Sequence, residues 1–177
     1  MLCKRLVIWV VIAVLLGAPA LAGSFSLYGS HWDSDTAENS AGGGAHVGFN
    51  FVKFLELDFH GTYYPDFTTE VSGQPVEVKA RPLDGGLRVN ILPMAPVNPF
   101  VGAGVTYYFL DTDQGSIDNT TGIYGQAGLD MGSGHSKFFV EALWRKLDTS
   151  ISLASFDRDA TLDGFAANAG VVWRWGQ

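Results

Sequence analysis

One cysteine, Cys3, is all the chain has, so no disulfide framework can hold it together. Charge is scarce too: 16% of residues are Asp, Glu, Lys or Arg, against roughly 25% in an average soluble domain. A disordered chain needs high charge and low hydrophobicity, whereas hydrophobic residues here reach 47%. Positive charge is scarcest of all, with 11 Lys and Arg against 18 Asp and Glu for a net charge of −7. A phosphate backbone would be repelled, which excludes nucleic acid as a partner. Beyond the N-terminus no apolar run approaches the roughly 20 residues of a membrane helix. What the 177 residues do have is 22 glycines and 13% aromatics. The length suits one domain, and the composition points to an all-β chain.

Residues 1–22 read as a signal peptide. Lys4 and Arg5 precede an apolar core from Leu6 to Gly17, and Ala20-Leu21-Ala22 supplies the small-x-small pattern before a cut at Gly23. That core is too short to span a bilayer comfortably. Cys3 lies ahead of the cut, so no lipid-bearing cysteine follows it. Without Lys4 and Arg5, 9 basic residues face 18 acidic ones, a charge of −9 for the exported domain 23–177.

From Gly23 onward the dominant pattern has period two, the spacing of a strand with two different faces. Leu55, Leu57, Phe59, Gly61 and Tyr63 alternate with Glu56, Asp58, His60, Thr62 and Tyr64. Phe138, Val140, Ala142 and Trp144 alternate with Phe139, Glu141, Leu143 and Arg145. Similar segments run near 25–30, 45–51, 83–91, 101–109, 123–131 and 165–175, eight in all. Each has about the nine to eleven residues that a tilted strand needs to cross a bilayer. The weakest is Val76 to Leu92, whose two halves sit on opposite parity. A bulge near Pro82 to Gly85 is predicted to reconcile them.

The connections alternate as well. Short ones fall at Val52-Lys53, Pro93 to Asn98 and Gly132 to Ser136. Long polar ones fall at Asp33 to Gly43, Asp66 to Pro75, Asp111 to Thr121 and Asp148 to Asp163. This is the plan of an eight-stranded antiparallel up-and-down transmembrane β-barrel, with short turns periplasmic and long loops outside. A water-soluble barrel or secreted sandwich would pack its apolar face inward. Here the polar face holds Glu56, Asp58, Asp84, Arg88, Asp130, Glu141, Arg145 and Arg174, while the other face is almost uncharged. Charges of both signs suit a narrow interior where they pair, and an uncharged face suits lipid. Tyr63, Tyr107, Trp144, Trp173 and Trp175 fall near segment ends, where interfacial aromatics belong.

The stretches Asn98-Pro99-Phe100-Val101-Gly102-Ala103-Gly104-Val105 and Lys137-Phe138-Phe139-Val140-Glu141-Ala142-Leu143-Trp144-Arg145 resemble strands of the small outer-membrane β-barrel family. That family includes the transmembrane domain of outer membrane protein A and many porin-like proteins. The resemblance covers the whole exported chain and implies insertion into the bacterial outer membrane by the barrel assembly machinery, among lipid and lipopolysaccharide. Members usually end on an aromatic residue, whereas here Gly176 and Gln177 follow Trp175.

Chemistry is sparse. His135-Ser136 with Glu141 superficially resembles a lipid A deacylase constellation, but the pair sits in a predicted turn and the family's strand motif is absent. His46 and His60 point inward on neighbouring strands with Glu56 and Asp58 close by. A metal needs three or four converging ligands, so histidines hydrogen-bonded to carboxylates are expected. Asp111, Asp113 and Asp118 space their oxygens as calcium favours but lack a bidentate glutamate, making them weak metal candidates. No cofactor and no catalytic residue is expected. Six inward glycines (Gly48, Gly86, Gly102, Gly104, Gly128, Gly170) are expected to leave some free space. The expected function is a non-enzymatic outer-membrane barrel with a charge-plugged lumen and acidic outer loops that could attract a divalent cation or cationic ligand. The alternatives are a narrow channel or small-solute transporter resembling outer membrane protein W, and a lipid A-modifying enzyme.

Overall fold

The structure is a computed structural model that describes residues 22–34, 39–71, 74–112, 115–116, 120–147, 150–153, 156–159 and 164–176. Side chains are described for 22–33, 39–65, 79–109, 121–146 and 164–176. All but Ala22 of the expected leader lies outside the described residues, as do Asp113 and Asp118 and the side chain of Asp111.

Among the described residues eleven strands follow one another: β1 (Gly23–Ser34), β2 (Ser40–Val52), β3 (Leu55–Val71), β4 (Gln74–Asn90), β5 (Val97–Thr112), β6 (Gly115–Ser116), β7 (Thr120–Met131), β8 (Ser136–Leu147), β9 (Ser150–Leu153), β10 (Phe156–Asp159) and β11 (Gly164–Trp175). Eight of them form the wall, in the order β4-β3-β2-β1-β11-β8-β7-β5, and β4 pairing with β5 closes it. Every pairing is antiparallel. The stub β6 extends β5, and β9 with β10 forms a separate hairpin.

Register fixes the width. Paired residues run once round the wall from Gly23 through Phe49, Leu57, Leu87, Ala103, Gly125, Trp144 and Phe165. The path returns to β1 at Asp33, ten residues beyond its start at position 23. Eight strands with that stagger tilt by roughly 40° and enclose a radius of about 8 Å, given ordinary strand spacing. Such a bore is filled by side chains alone.

Two sequence expectations need correction. The register shift of β4 is not at Pro82 to Gly85, where Gly85 pairs with both Phe59 and Val105 in unbroken register. It lies in β3, between Tyr64 and Phe67, opposite Ala80 and Val78. Pro65 has no N–H to give the ladder, so the extra residue is accommodated there. The polar connections are also shorter than expected, because β3 runs on to Val71 and β4 starts at Gln74, carrying the hairpin well past the nine to eleven residues of a membrane crossing.

The three short turns, the start of β1 and the end of β11 share one rim. Gly23 pairs with Trp175, and Asn50 N donates to Ala22 O at 2.8 Å. Inside, the usual distribution is inverted. Among the described residues 22 buried side chains are polar or charged and 11 are hydrophobic. Leu27, Leu83, Val105, Ile123, Phe138 and Phe165 instead stand exposed on the outside. A closed wall satisfies every backbone group internally, and this apolar belt needs lipid as its solvent.

Candidate functional site: the barrel lumen

All eight acids and bases assigned to the polar face are at most 5% exposed. Alternation on each strand aims them inward, and the stagger of the wall decides which of them meet. They gather in three tiers.

The tier nearest the short turns is a box of two acids and two arginines. Asp130 Oδ2 accepts from Arg88 Nη2 at 2.7 Å and from Arg174 Nη2 at 2.6 Å. Glu56 accepts from Ser24 Oγ and from Asn90 Nδ2 at 3.0 Å, and Arg174 Nη1 lies 3.5 Å from it. Asn98 ties the box to the turn: its Nδ2 donates to Asn90 Oδ1 at 2.9 Å, while its Oδ1 accepts from Leu92 N at 2.9 Å. Phe100 lies under the Arg88 guanidinium, 3.5 Å from ring centroid to charge, a contact that adds cation–π attraction.

The middle tier is built on histidine. His46 and His60 face each other across β2 and β3, with ring centroids 4.7 Å apart. Asp58 sits two residues before His60, and both imidazole Nε2 atoms reach its carboxylate: that of His46 closely, that of His60 at 3.0 Å. Gln126 Nε2 also donates to Asp58, and Ser26 Oγ lies 2.7 Å from His46 Nδ1. Glu141 accepts from Asn168 Nδ2 at 2.7 Å and stands 3.9 Å from His60 Nδ1.

Towards the long connections, Arg145 grips Asp84 with two bonds, Nε to Oδ1 at 3.2 Å and Nη2 to Oδ2 at 2.6 Å. A bidentate fork of this kind is the strongest form of the pair. Around it closes an aromatic collar of Trp32, Tyr64 and Tyr108, all at most 2% exposed. Trp32 meets Tyr64 edge-on at 5.0 Å and Tyr108 at 5.7 Å. Tyr64 Oη is 2.6 Å from Ser30 Oγ.

The inward glycines do not leave free space. A Cβ at Gly48 would overlap the Glu56 carboxylate, and one at Gly128 the ring of Phe100. One at Gly104 would lie 2.8 Å from Tyr124, and one at Gly170 2.7 Å from Tyr28. Each glycine is the seat of a larger side chain from a neighbouring strand. Tyr28, Trp32, Tyr64, Tyr108, Tyr124, Asn90, Asn98 and Gln126 line the lumen beside the charges. Their signal was parity: they alternate in phase with the charges.

On the outside, Tyr63, Tyr107 and Trp144 are exposed towards the loop end and Trp173 towards the terminal rim, while Trp175 packs half-buried over Gly23. His135 and Ser136 are exposed at the last short turn. Glu141, their supposed partner, is buried in the lumen, so the structure does not bring the three together.

The closed antiparallel wall, polar bore and apolar belt define an eight-stranded transmembrane β-barrel of the outer membrane. Solved structures agree on the fold. The chain is similar to the outer membrane protein OprG from Pseudomonas aeruginosa, with 16% identity, a TM-score of 0.70 and coverage of 89% of this chain and 98% of that one. Neisserial surface protein A gives 12% identity, a TM-score of 0.59 and coverage of 87% and 95%. Outer membrane protein W from E. coli gives 12%, 0.56 and coverage of 88% and 99%. No family model and no curated protein sequence matches the chain.

Proposed function

We propose that this outer-membrane barrel is non-enzymatic and plugged, and that it acts through its outer surface rather than by general diffusion through its bore. One observation carries the reading: the three tiers interlock across a bore about 8 Å in radius, with glycine seats filled by neighbouring side chains. Moving these paired charges aside would leave them unpartnered in a dry interior, at a cost of several kcal/mol. The surroundings fit an outer-membrane lipid and lipopolysaccharide setting, reached through the barrel assembly machinery. The acidic connections, including Asp33, Asp111 and Asp159, would meet lipopolysaccharide phosphates through divalent cations or attract a cationic partner. That no catalysis is involved is supported by the separation of His135 and Ser136 from Glu141.

Planar-bilayer recording of the purified barrel tests the plug. We expect no conductance steps above lipid background at neutral pH. Discrete, cation-preferring openings would instead make the protein a narrow channel.

A further inference from the structure

We propose that His46, Asp58 and His60 form a binding site for one divalent transition-metal ion of the zinc class within the lumen. This goes beyond the plugged-barrel reading and does not depend on it. The three residues each offer a ligand atom, all within 4.8 Å of one another, and all three are at most 4% exposed. Ligands of tetrahedral zinc lie about 3.3 Å apart, given bonds near 2.0–2.1 Å, so sub-ångström shifts to a little over 1 Å would seat the ion. Two imidazoles and a carboxylate suit zinc, cobalt, nickel or copper, whereas calcium and magnesium prefer oxygen donors throughout.

Charge gives the second, independent argument. Five carboxylates are buried in the bore against three arginines. Arg88 and Arg174 serve Glu56 and Asp130, and Arg145 serves Asp84. Asp58 and Glu141 remain, and among the described residues no arginine or lysine is within ion-pair distance of either. With both imidazoles neutral, as metal ligands must be, the surplus of two negative charges lies on the two acids that flank the histidines. A single divalent ion balances it.

The surrounding contacts have the form that orients metal-bound imidazoles. With Nε2 of each ring given to the ion, the ring proton resides on Nδ1. That of His46 faces Ser26 Oγ at 2.7 Å. His60 Nδ1, a buried atom without a hydrogen-bond partner, faces Glu141 Oε1 at 3.9 Å. Asn168 holds Glu141 in place. Gln126 Nε2 donates to Asp58, and its own buried amide oxygen has no hydrogen-bond partner.

The test uses the untagged protein purified in detergent, with His31→Gln and His135→Gln removing the two histidines outside the bore. Metal is supplied both to the folded barrel and during refolding, because the tiers restrict entry. Calorimetry should find one Zn²⁺ per barrel by at least one route, and Co²⁺ should give the intense visible bands of a tetrahedral site that Zn²⁺ abolishes. His46→Gln and His60→Gln should each weaken binding at least 100-fold, and Ser26→Ala about 10-fold, the low end for an orienting contact. Should a variant fail to fold, Cu²⁺ bound to the His31→Gln, His135→Gln background reads the answer directly, since its electron paramagnetic resonance must show two coordinating nitrogens. No saturable binding by either route, fewer than two nitrogens, or affinity unchanged by His46→Gln together with His60→Gln would overturn the site.

Discussion

Glu141 and Ala142 are adjacent on β8, yet they face opposite solvents. Glu141 is buried in the bore and held by Asn168, whereas Ala142 lies on the outer belt between Val140 and Trp144. The inner wall is organised by directional bonds among its charged and polar side chains. The outer wall has almost none, and its residues need only be apolar. The same strand therefore obeys two sets of rules, and substitutions on it should fail for opposite reasons: lost partners inside, added polarity outside.

The largest effect is expected from Arg145→Ala, which strips both hydrogen bonds from buried Asp84. Removing one partner of a buried pair costs about 3–5 kcal/mol, read by urea unfolding in lipid. Converting both members to neutral residues of like volume, Arg145→Met with Asp84→Asn, should recover most of that loss. If the single change were silent, the inner wall would be wet and the contrast would break. Next comes Ala142→Arg, which places charge against lipid near mid-strand and should cost roughly 2–4 kcal/mol. A smaller effect separates two glycines. Gly48→Ala meets the Glu56 carboxylate and should cost about 1–3 kcal/mol by overpacking. Gly29→Ala, with nothing within 4 Å on the outer face, should be silent. Equal costs at both positions would mean that the bore has slack.

Period-two alternation made the wall legible in the sequence, because each strand separates two solvents and the separation is written residue by residue. The eight inward charges and the outward aromatics follow from the same parity. Pairing was not legible. Arg174 meets Asp130, 44 positions away, only because the wall is staggered by ten residues, and nothing local in the sequence encodes that stagger. Glycines such as Gly48 read as empty space because their occupants come from neighbouring strands. The bulge was not legible either: apolar parity points to β4, while the missing N–H of Pro65 acts in β3. At the middle tier the histidines were visible, but their convergence on one carboxylate depended on register.

The two-solvent wall can be measured directly by placing single spin-labelled cysteines at each position from Phe138 to Arg145 in the barrel reconstituted in lipid. Oxygen, which concentrates in the bilayer, should reach labels at Phe138, Val140, Ala142 and Trp144, and should be largely excluded at Phe139, Glu141, Leu143 and Arg145. A flat profile along β8, or one with the opposite phase, would contradict the account.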